Sequence, residues 1–476
     1  MGKIMNEEKT NIYTLFLPCY SSRKNEILNK LQESCKDANF IGFDELSGIM
    51  DVKGAAKIYQ NIKKLKDTLD GILIFGGYLD NSLTSLELPI IMVRALLGTG
   101  DWDKGILNFY RNKKVLSVCL SDVDKSLSFS SSRFNDLLEK IKLIIALKKI
   151  KNSKLLCIQE SDILGSYDIS GMDFHIPLPD DYNGVYLKRL KEIGLIIEHI
   201  SLTDLNREIQ KIKENEAEEI TNIWIKEAEE VTKETNREEI LKSAKMYLGV
   251  RNLMEKYNAN GITIRSLVPW VKGIINVTPC LVNTELNKQL KVGVCEGLVN
   301  SAVTEMFGIY IADEPSFIGD VIGIDKINET VTFAHCQSPI NPHGDDRVPY
   351  IIRSHALQRE NKMLPDDYPE AGSNPSAVVE VKLPIDEVVT AVKFSLYNKK
   401  IAVSKGITVP GEKLYKDFNN ILCRTKLVMK TDTNAFEKKY DTVTFGVHRN
   451  IFYGDLREKI KDLATLTGFE VIEEDK

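Results

Sequence analysis

The stretch from Val294 to Pro339 reads VCEGLVNSAVTEMFGIYIADEPSFIGDVIGIDKINETVTFAHCQSP, and it contains acidic and imidazole groups that its apolar patterns do not require. Glu296 precedes an apolar set at helical spacing from Leu298 to Phe307, so a carboxylate is predicted at the start of a mostly buried helix. Asp320 follows a short apolar run and is predicted at the end or exit of a strand. His335 ends an alternating run and is predicted at the end of a second strand.

These three side chains form a candidate metal site. Carboxylate oxygens and an imidazole nitrogen are donors that suit a divalent ion such as Mn²⁺ or Mg²⁺. On spacing alone a structural interpretation stays open, in which Glu296 caps a helix, Asp320 starts a turn and His335 is a hydrogen-bonded histidine at a strand end. The pattern therefore needs further support from the rest of the chain.

Length and charge limit the function classes. The 476 residues are too many for one ordinary core, so two or three domains are expected. Lys and Arg number 63 against 68 Asp and Glu, a balance that argues against nucleic acid or an anionic membrane as partner and favours a small ligand. No apolar run reaches a membrane span and the N-terminus lacks a secretory core, so a cytoplasmic protein is expected. The eight cysteines form no CxxC pair and are predicted to be buried thiols.

Two sets of strand-like runs alternate with helical runs in the first two thirds of the chain, which predicts parallel sheets covered on both faces. A charged stretch from Asn206 to Arg251 interrupts the second set and is predicted to be a pair of solvated helices. The predicted strands are Ile12 to Leu17, Asp70 to Phe75, Lys114 to Cys119, Lys154 to Gln159, Leu195 to Ile200 and Ile262 to Ile264.

Short alternating runs separated by turns dominate the remainder of the chain, as expected for an antiparallel barrel or sandwich. They are Val378 to Val381, Val388 to Phe394, Ile401 to Val403, Leu422 to Val428 and Thr442 to Val447. The predicted fold is therefore α/β, with two Rossmann-like α/β sandwich domains at residues 1–152 and 153–311. A β-rich, antiparallel barrel-like C-terminal domain follows at residues 312–476.

The order of short motifs resembles the metal-binding core of the L-fucose isomerase and L-arabinose isomerase superfamily, clearly over about the last half of the chain. The matching segments are Thr278-Pro279-Cys280, Cys295-Glu296-Gly297, Gly319-Asp320, Ala334-His335-Cys336, Arg353-Ser354-His355, Cys423-Arg424-Thr425 and the terminal GVHRNIFYGDLREKIKDLATLTGFEVI from Gly446.

This resemblance implies a metal-dependent aldose–ketose isomerase that works through an enediolate. By resemblance Glu296, Asp320 and His448 are the first metal ligands, His335 is a further ligand, and the two carboxylates also serve as acid and base. The implied cofactor is Mn²⁺, with Co²⁺ or Mg²⁺ as other divalent ions. The implied partners are a sugar substrate and further copies of the chain, in a homo-oligomer from dimer to hexamer with shared active sites.

Further candidates surround this motif set. His355 and Arg353 are candidates for binding substrate hydroxyls, although His355 could instead anchor the long loop that follows it. Arg424 could face the substrate or pair with a carboxylate, and Trp270 could stack on a sugar or belong to the core.

Two departures from the family pattern bear on the substrate. Leu298 stands where relatives often carry an acidic residue. Arg265 stands where many relatives carry an acidic or small polar residue. A pocket that loses negative and gains positive charge favours an anionic sugar, such as a sulfosugar, over a neutral one. A non-catalytic sugar-binding or sensory protein on the same scaffold remains an alternative, and a metal-dependent hydrolase or lyase is not excluded by sequence.

Overall fold

The computed structural model describes residues 9–47, 51–76, 81–94, 113–119, 132–160, 178–355, 376–411 and 423–476. The chain divides into two compact units, of which the first comprises Met1–Lys149 with Glu458–Phe469 and the second comprises Ile150–Arg457 with Glu470–Lys476. Within the described part of the chain, no helix has the length and apolar character needed to cross a membrane.

A five-stranded parallel sheet of order β2-β1-β3-β4-β5 forms the centre of the first unit. Its middle strand, GILIF, is buried along its whole length, as expected for a strand covered on both faces. The strands are β1 Thr10–Phe16, β2 Ala38–Glu45, β3 Gly71–Phe75, β4 Ile90–Arg94 and β5 Val115–Cys119. The helices are α1 Pro18–Ser21, α2 Lys24–Ser34, α3 Val52–Leu65, α4 Asn81–Thr84, α5 Ser132–Lys151, which runs into the second unit, and the later helix α15 Arg457–Thr467.

Helix α15 belongs to the first unit although it lies near the end of the chain. Lys140 of α5 places its Nζ 2.7 Å from Asp462 of α15 and 2.8 Å from Asp136 of its own helix. Lys459 adds a second contact, 2.6 Å from Glu139. The first unit is thus completed by a segment that follows almost all of the second.

A four-stranded parallel sheet of order β10-β9-β6-β7 begins the second unit. Its strands are β6 Lys154–Ile158, β7 Ile196–Ile200, β9 Gly261–Ile264 and β10 Val292–Cys295. Its helices are α6 Tyr182–Ile193, α7 Leu202–Gln210, α8 Glu214–Glu227, α9 Arg237–Tyr257, α10 Leu267–Val271, α11 Cys280–Lys288 and α12 Val299–Ala312. The charged stretch predicted as a helical pair folds as the end of α7 followed by α8 and α9, and the side chain of Asn236 caps α9.

Seven strands of order β15-β18-β11-β12-β17-β16-β19 form the C-terminal sheet, and a further β15–β16 pairing closes six of them into a ring. All of these pairings are antiparallel except the parallel β16–β19 pair. The strands are β11 Phe317–Asp325, β12 Thr330–His335, β15 Val388–Ser395, β16 Lys400–Thr408, β17 Thr425–Lys430, β18 His448–Tyr453 and β19 Glu470–Glu473. The predicted fold class, with two parallel α/β sheets before a barrel-like β-rich part, is confirmed.

A smaller sheet of order β14-β13-β8 completes the second unit, from β8 Glu230–Val231, β13 Tyr350–Ser354 and β14 Ala377–Val381. Two local predictions are wrong. The stretch Thr442 to Val447 forms a short helix, α14 Thr442–Phe445, after α13 Thr433–Lys439, because the Asp441 side chain accepts the N–H groups of its first turn. Asp320 lies within β11, which continues to Asp325 and does not end at the carboxylate.

Candidate metal centre

Glu296 occupies the turn between β10 and α12, at the carboxyl end of a parallel strand where α/β sheets place ligands. Its φ is 63°, followed by 70° at Gly297, so a glutamate adopts the left-handed conformation that normally favours glycine. The Gly297 N–H donates to the carbonyl of Ile264 (3.1 Å), which ties the turn to β9. The carboxylate therefore precedes the helix and is not part of it. Residues held in this way concentrate at functional sites.

Asp320 and His448 face each other on neighbouring strands of the ring. The β11–β18 register pairs the two residues directly, and His448 Nε2 lies 3.0 Å from Asp320 Oδ1. Burial by itself raises the pKa of Asp320, but the nearby His448, His335 and Lys393 charges together hold it below the ordinary aspartate value. Asp320 is therefore ionised near neutral pH.

His335 ends β12 and brings a second imidazole to Glu296. Its Nε2 lies 3.7 Å from Glu296 Oε1, while His448 Nε2 lies 3.6 Å from Glu296 Oε2, so each carboxylate oxygen faces one ring. Burial disfavours a charged imidazole, yet Glu296, followed by the negative charges of Asp320 and the Cys280 thiolate, raises the pKa of His335 to about 9. The proton on His335 thus partly neutralises the carboxylates.

Glu296, His335 and His448 each offer a ligand atom, and these atoms all lie within 4.8 Å of one another. The Nε2 atoms of both histidines are buried and face carboxylate oxygens, but neither makes a hydrogen bond of good geometry. A pair of orphaned imidazole nitrogens beside a carboxylate is the donor set of a divalent transition ion, so the residues fit a metal. The Gln337 N–H lies 3.1 Å from His335 Nδ1, a hydrogen bond that only a neutral ring with its proton on Nε2 accepts. Protonation of the ring, or ligation through Nε2 with the proton on Nδ1, opens this bond.

Buried amides support the ligands from behind. The Gln337 side chain accepts from the Cys295 N–H (3.1 Å) and the Asn283 amide (2.9 Å), and donates to the Gly293 carbonyl (2.5 Å). It therefore joins the segment after His335 to the strand that leads into Glu296. This residue was not predicted; a fully buried glutamine between two apolar segments was the available signal.

Glu305 of α12 makes a second support. It accepts from the Ser316 N–H (3.1 Å) and from the Asn450 amide (3.4 Å), two residues beyond His448. Complete burial raises the pKa of Glu305 to about 7. Lys393, fully buried on β15 with its Nζ bonded to the Ser301 hydroxyl, was also missed, although a lysine within the apolar run VVTAVKFS is unusual.

The predicted substrate-binding residues fall into three environments. Buried His355 packs its ring 5.0 Å from that of Trp270, and the buried Arg424 Nε donates to the Ser354 carbonyl (2.8 Å). Arg353 pairs with Glu380 and Glu234. Arg265, half-buried, follows β9 next to Glu296, because Ile264 pairs with Cys295 in register. Their binding roles stay predictions.

No protein family model matches the chain. A curated relative, "Sulfoquinovose isomerase" of Clostridium sp. (strain MSTE9), is 23% identical over 193 residues, which are 40% of this chain and 39% of the relative. The match thus spans about two fifths of the relative's length. Among solved structures, the "Crystal structure of transcription regulator CcpA of Lactococcus lactis" is 12% identical and covers 65% of this chain and 94% of its own, with a TM-score of 0.15. A TM-score this low carries no argument about fold or function.

Proposed function

We propose that the protein is a metal-dependent aldose–ketose isomerase. The observation that carries the proposal is the group formed by half-buried Glu296 with buried His335 and His448. The Nε2 atoms of both imidazoles face carboxylates without a hydrogen bond of good geometry, and Asp320 lies 3.0 Å from that of His448. The distant similarity to a sugar isomerase supports the reaction class. A protein that only binds sugar does not need a second carboxylate beside a metal group.

Glu296, His335 and His448 would hold the ion, and Asp320 is assigned as a further ligand. Mn²⁺ is the proposed ion, with Co²⁺ or Mg²⁺ as substitutes. When bound, a divalent ion supplies positive charge, as a Lewis acid, close to the two sugar oxygens between which the hydrogen atoms are exchanged.

The protein's carboxylates are assigned the proton transfers. Isomerisation moves a proton between two adjacent sugar carbons and a hydroxyl proton between their oxygens. The Glu296 and Asp320 side chains keep 22% and 29% of their surface exposed, whereas the imidazoles of His335 and His448 keep 4% and 2%. The carboxylates are therefore the ionisable groups that a substrate reaches, one to take the proton and one to return it.

The proposed substrate is an anionic aldose, such as a sulfosugar. Arg265 follows β9 beside Glu296 and brings a positive charge to the same sheet edge, while the uncharged Leu298 follows the ligand. The distant relative carries a sulfosugar in its printed name, which agrees with this charge balance. The proposal includes a homo-oligomer acting in the cytoplasm, and light scattering of the purified chain measures the subunit count.

The test uses chelated and Mn²⁺-reconstituted protein in D₂O with neutral, sulfonated and phosphorylated aldoses, followed by NMR. We expect metal-dependent exchange at the carbon next to the carbonyl, reduced about 10²–10⁴-fold in Glu296→Gln and in Asp320→Asn. Arg265→Gln should raise KM for anionic aldoses and leave that for neutral ones unchanged, and Arg265→Lys should restore it. Metal and sugar binding without exchange would instead identify a binding protein.

A further inference from the structure

Four cysteines that are far apart in sequence meet beside the candidate metal centre. Cys280, Cys295 and Cys336 belong to one buried cluster, and Cys423 packs against it. Each lies at the boundary of a different element: Cys280 opens α11, Cys295 ends β10, Cys336 follows β12 and Cys423 precedes β17. Cys295 and Cys336 are chain neighbours of Glu296 and His335.

The thiols are arranged as two pairs. Within the cluster Cys280 interacts with Cys295, and Cys336 with Cys423, which packs against the other three. His355 contacts one member of each pair, Cys280 and Cys336. The first pair is fully enclosed, and Cys295 also donates to the Gln337 side chain (2.8 Å). In the second pair Cys423 is only half-buried, so this pair is the one that a small solute reaches.

This arrangement does not gather the thiols into a metal cage. Within the described ranges, the group of three or more possible ligands whose atoms all lie within 4.8 Å is Glu296, His335 and His448. Zinc sites built from cysteine need three or four ligands around one point. Pairwise contact between thiols is instead the arrangement from which a disulfide forms.

We propose that Cys336 and Cys423 are a modification site, a dithiol that a peroxide oxidises to a disulfide. One sulfur takes an oxygen from hydrogen peroxide, becoming a sulfenic acid, while its thiol proton leaves with the other oxygen as water. The second sulfur then displaces the hydroxyl, which leaves as a second water with the second thiol proton. The two thiols lose two electrons and the peroxide is reduced to two waters.

Closing this bond acts on the metal ligand next to it. A disulfide bond holds its two sulfurs at about 2 Å, closer than any non-bonded thiol contact, so it draws together the chain segments that carry Cys336 and Cys423. His335 precedes Cys336, and its ring approaches Glu296 at 3.7 Å, so a small backbone change separates the two ligands. Disturbing groups that orient metal ligands typically lowers affinity by about 10–100-fold. The disulfide is therefore expected to weaken metal binding.

The test has a readout that does not depend on isomerase activity. The purified protein, free of metal, is treated with hydrogen peroxide and alkylated, and its peptides are mapped by mass spectrometry. Mn²⁺ binding is titrated before and after the treatment. We expect a Cys336–Cys423 cross-link and an Mn²⁺ affinity at least about 10-fold lower than that of the reduced protein. Dithiothreitol should remove the cross-link and restore the affinity. Cys423→Ser should keep its Mn²⁺ affinity in peroxide, and the buried Cys157→Ser on β6 should respond like the wild type.

Three results would overturn the inference: both cysteines still alkylated after peroxide, oxidation only to sulfinic acid, or a cross-link without loss of Mn²⁺ affinity. Peptide mapping of the wild type decides the first two even if a variant fails to fold. A failure of the proposed isomerase function would show itself separately, as Mn²⁺ binding without turnover in the reduced protein.

Discussion

Glu296 has a strained backbone conformation. A left-handed conformation costs a residue with a Cβ roughly 1–2 kcal/mol relative to glycine. The structure keeps Glu296 there at φ 63°, where its two oxygens face one imidazole each. The proposed role of the carboxylate as a metal ligand accounts for a glutamate where glycine would be less strained.

This conformation predicts that glycine at position 296 is more stabilising than alanine. Glu296→Gly should be more stable than Glu296→Ala by about 1 kcal/mol, because both remove the carboxylate and only alanine keeps the left-handed strain. Urea unfolding of the metal-free variants measures the difference. Neither variant should bind Mn²⁺, and equal stabilities would show that the turn is not strained.

The protonated state of His335 predicts pH-dependent metal affinity. Its pKa of about 9 means that below this pH a metal must displace a proton from the ring, so affinity should rise about 10-fold per pH unit. Asp320, whose pKa lies below the ordinary value, adds nothing to this slope near neutral pH. Calorimetric Mn²⁺ titrations from about pH 6 to about pH 8 test the slope. His335→Asn should flatten it, whereas an equally steep wild type and variant would contradict the assignment.

Among single residues, the sequence pattern predicted the candidate ligands but not the buried polar residues that support them. Cys295-Glu296-Gly297 and Ala334-His335-Cys336 carried the candidate ligands. Gln337, Glu305 and Lys393 were missed because each takes its meaning from partners about 10 to 150 residues away, which no local spacing reveals. The same holds for the four cysteines, which were expected only to be buried.

Helix α12 lies against β18 at a glycine, and this close approach helps to place Asn450 against Glu305. A Cβ at Gly308 would stand 2.0 Å from ring atoms of Phe452. The helix and strand therefore meet at a distance that a larger residue does not permit.

Gly308→Ala is expected to destabilise the protein by about 1–3 kcal/mol, because the added methyl must move the Phe452 ring or the helix. Gly184→Ala in α6 is the matched control, since a Cβ there meets nothing within 4 Å. That change should be neutral or stabilising by about 0.5–1 kcal/mol. Thermal unfolding of both variants tests this contrast, which fails if they behave alike.

Element types followed from local patterns where burial was uniform. The apolar run GILIF of β3 is buried on both faces, so a continuous apolar run was enough to predict a strand there. Thr442 to Val447 was wrong because alternation over six residues resembles a strand, while the Asp441 cap decides for a helical turn. Local capping thus outweighed hydrophobic alternation there.

The candidate metal site belongs to one of the two compact units of the chain. All four candidate ligands belong to the second unit. A ligand present at about 100 times its Kd stabilises the folded state that binds it by about 2.7 kcal/mol.

Mn²⁺ should therefore slow amide hydrogen exchange in β12, in β18 and in the turn after β10, and leave β1 to β3 of the first unit unchanged. Mass spectrometry with and without Mn²⁺ measures this, and His448→Gln supplies the control without protection. Equal protection in both units, or none in either, would contradict the location of the site.

The entry of α15 into the first unit also has a consequence for synthesis on the ribosome. The first unit is translated first, yet its last helix emerges only after nearly all of the second unit has been made. His448 likewise follows Glu296 by about 150 residues. A nascent chain thus exposes an incomplete first unit until α15 has emerged, and an incomplete ligand set until His448 has emerged. Completion of the first unit and metal acquisition are therefore expected to follow one another closely, because His448 and α15 are close in sequence.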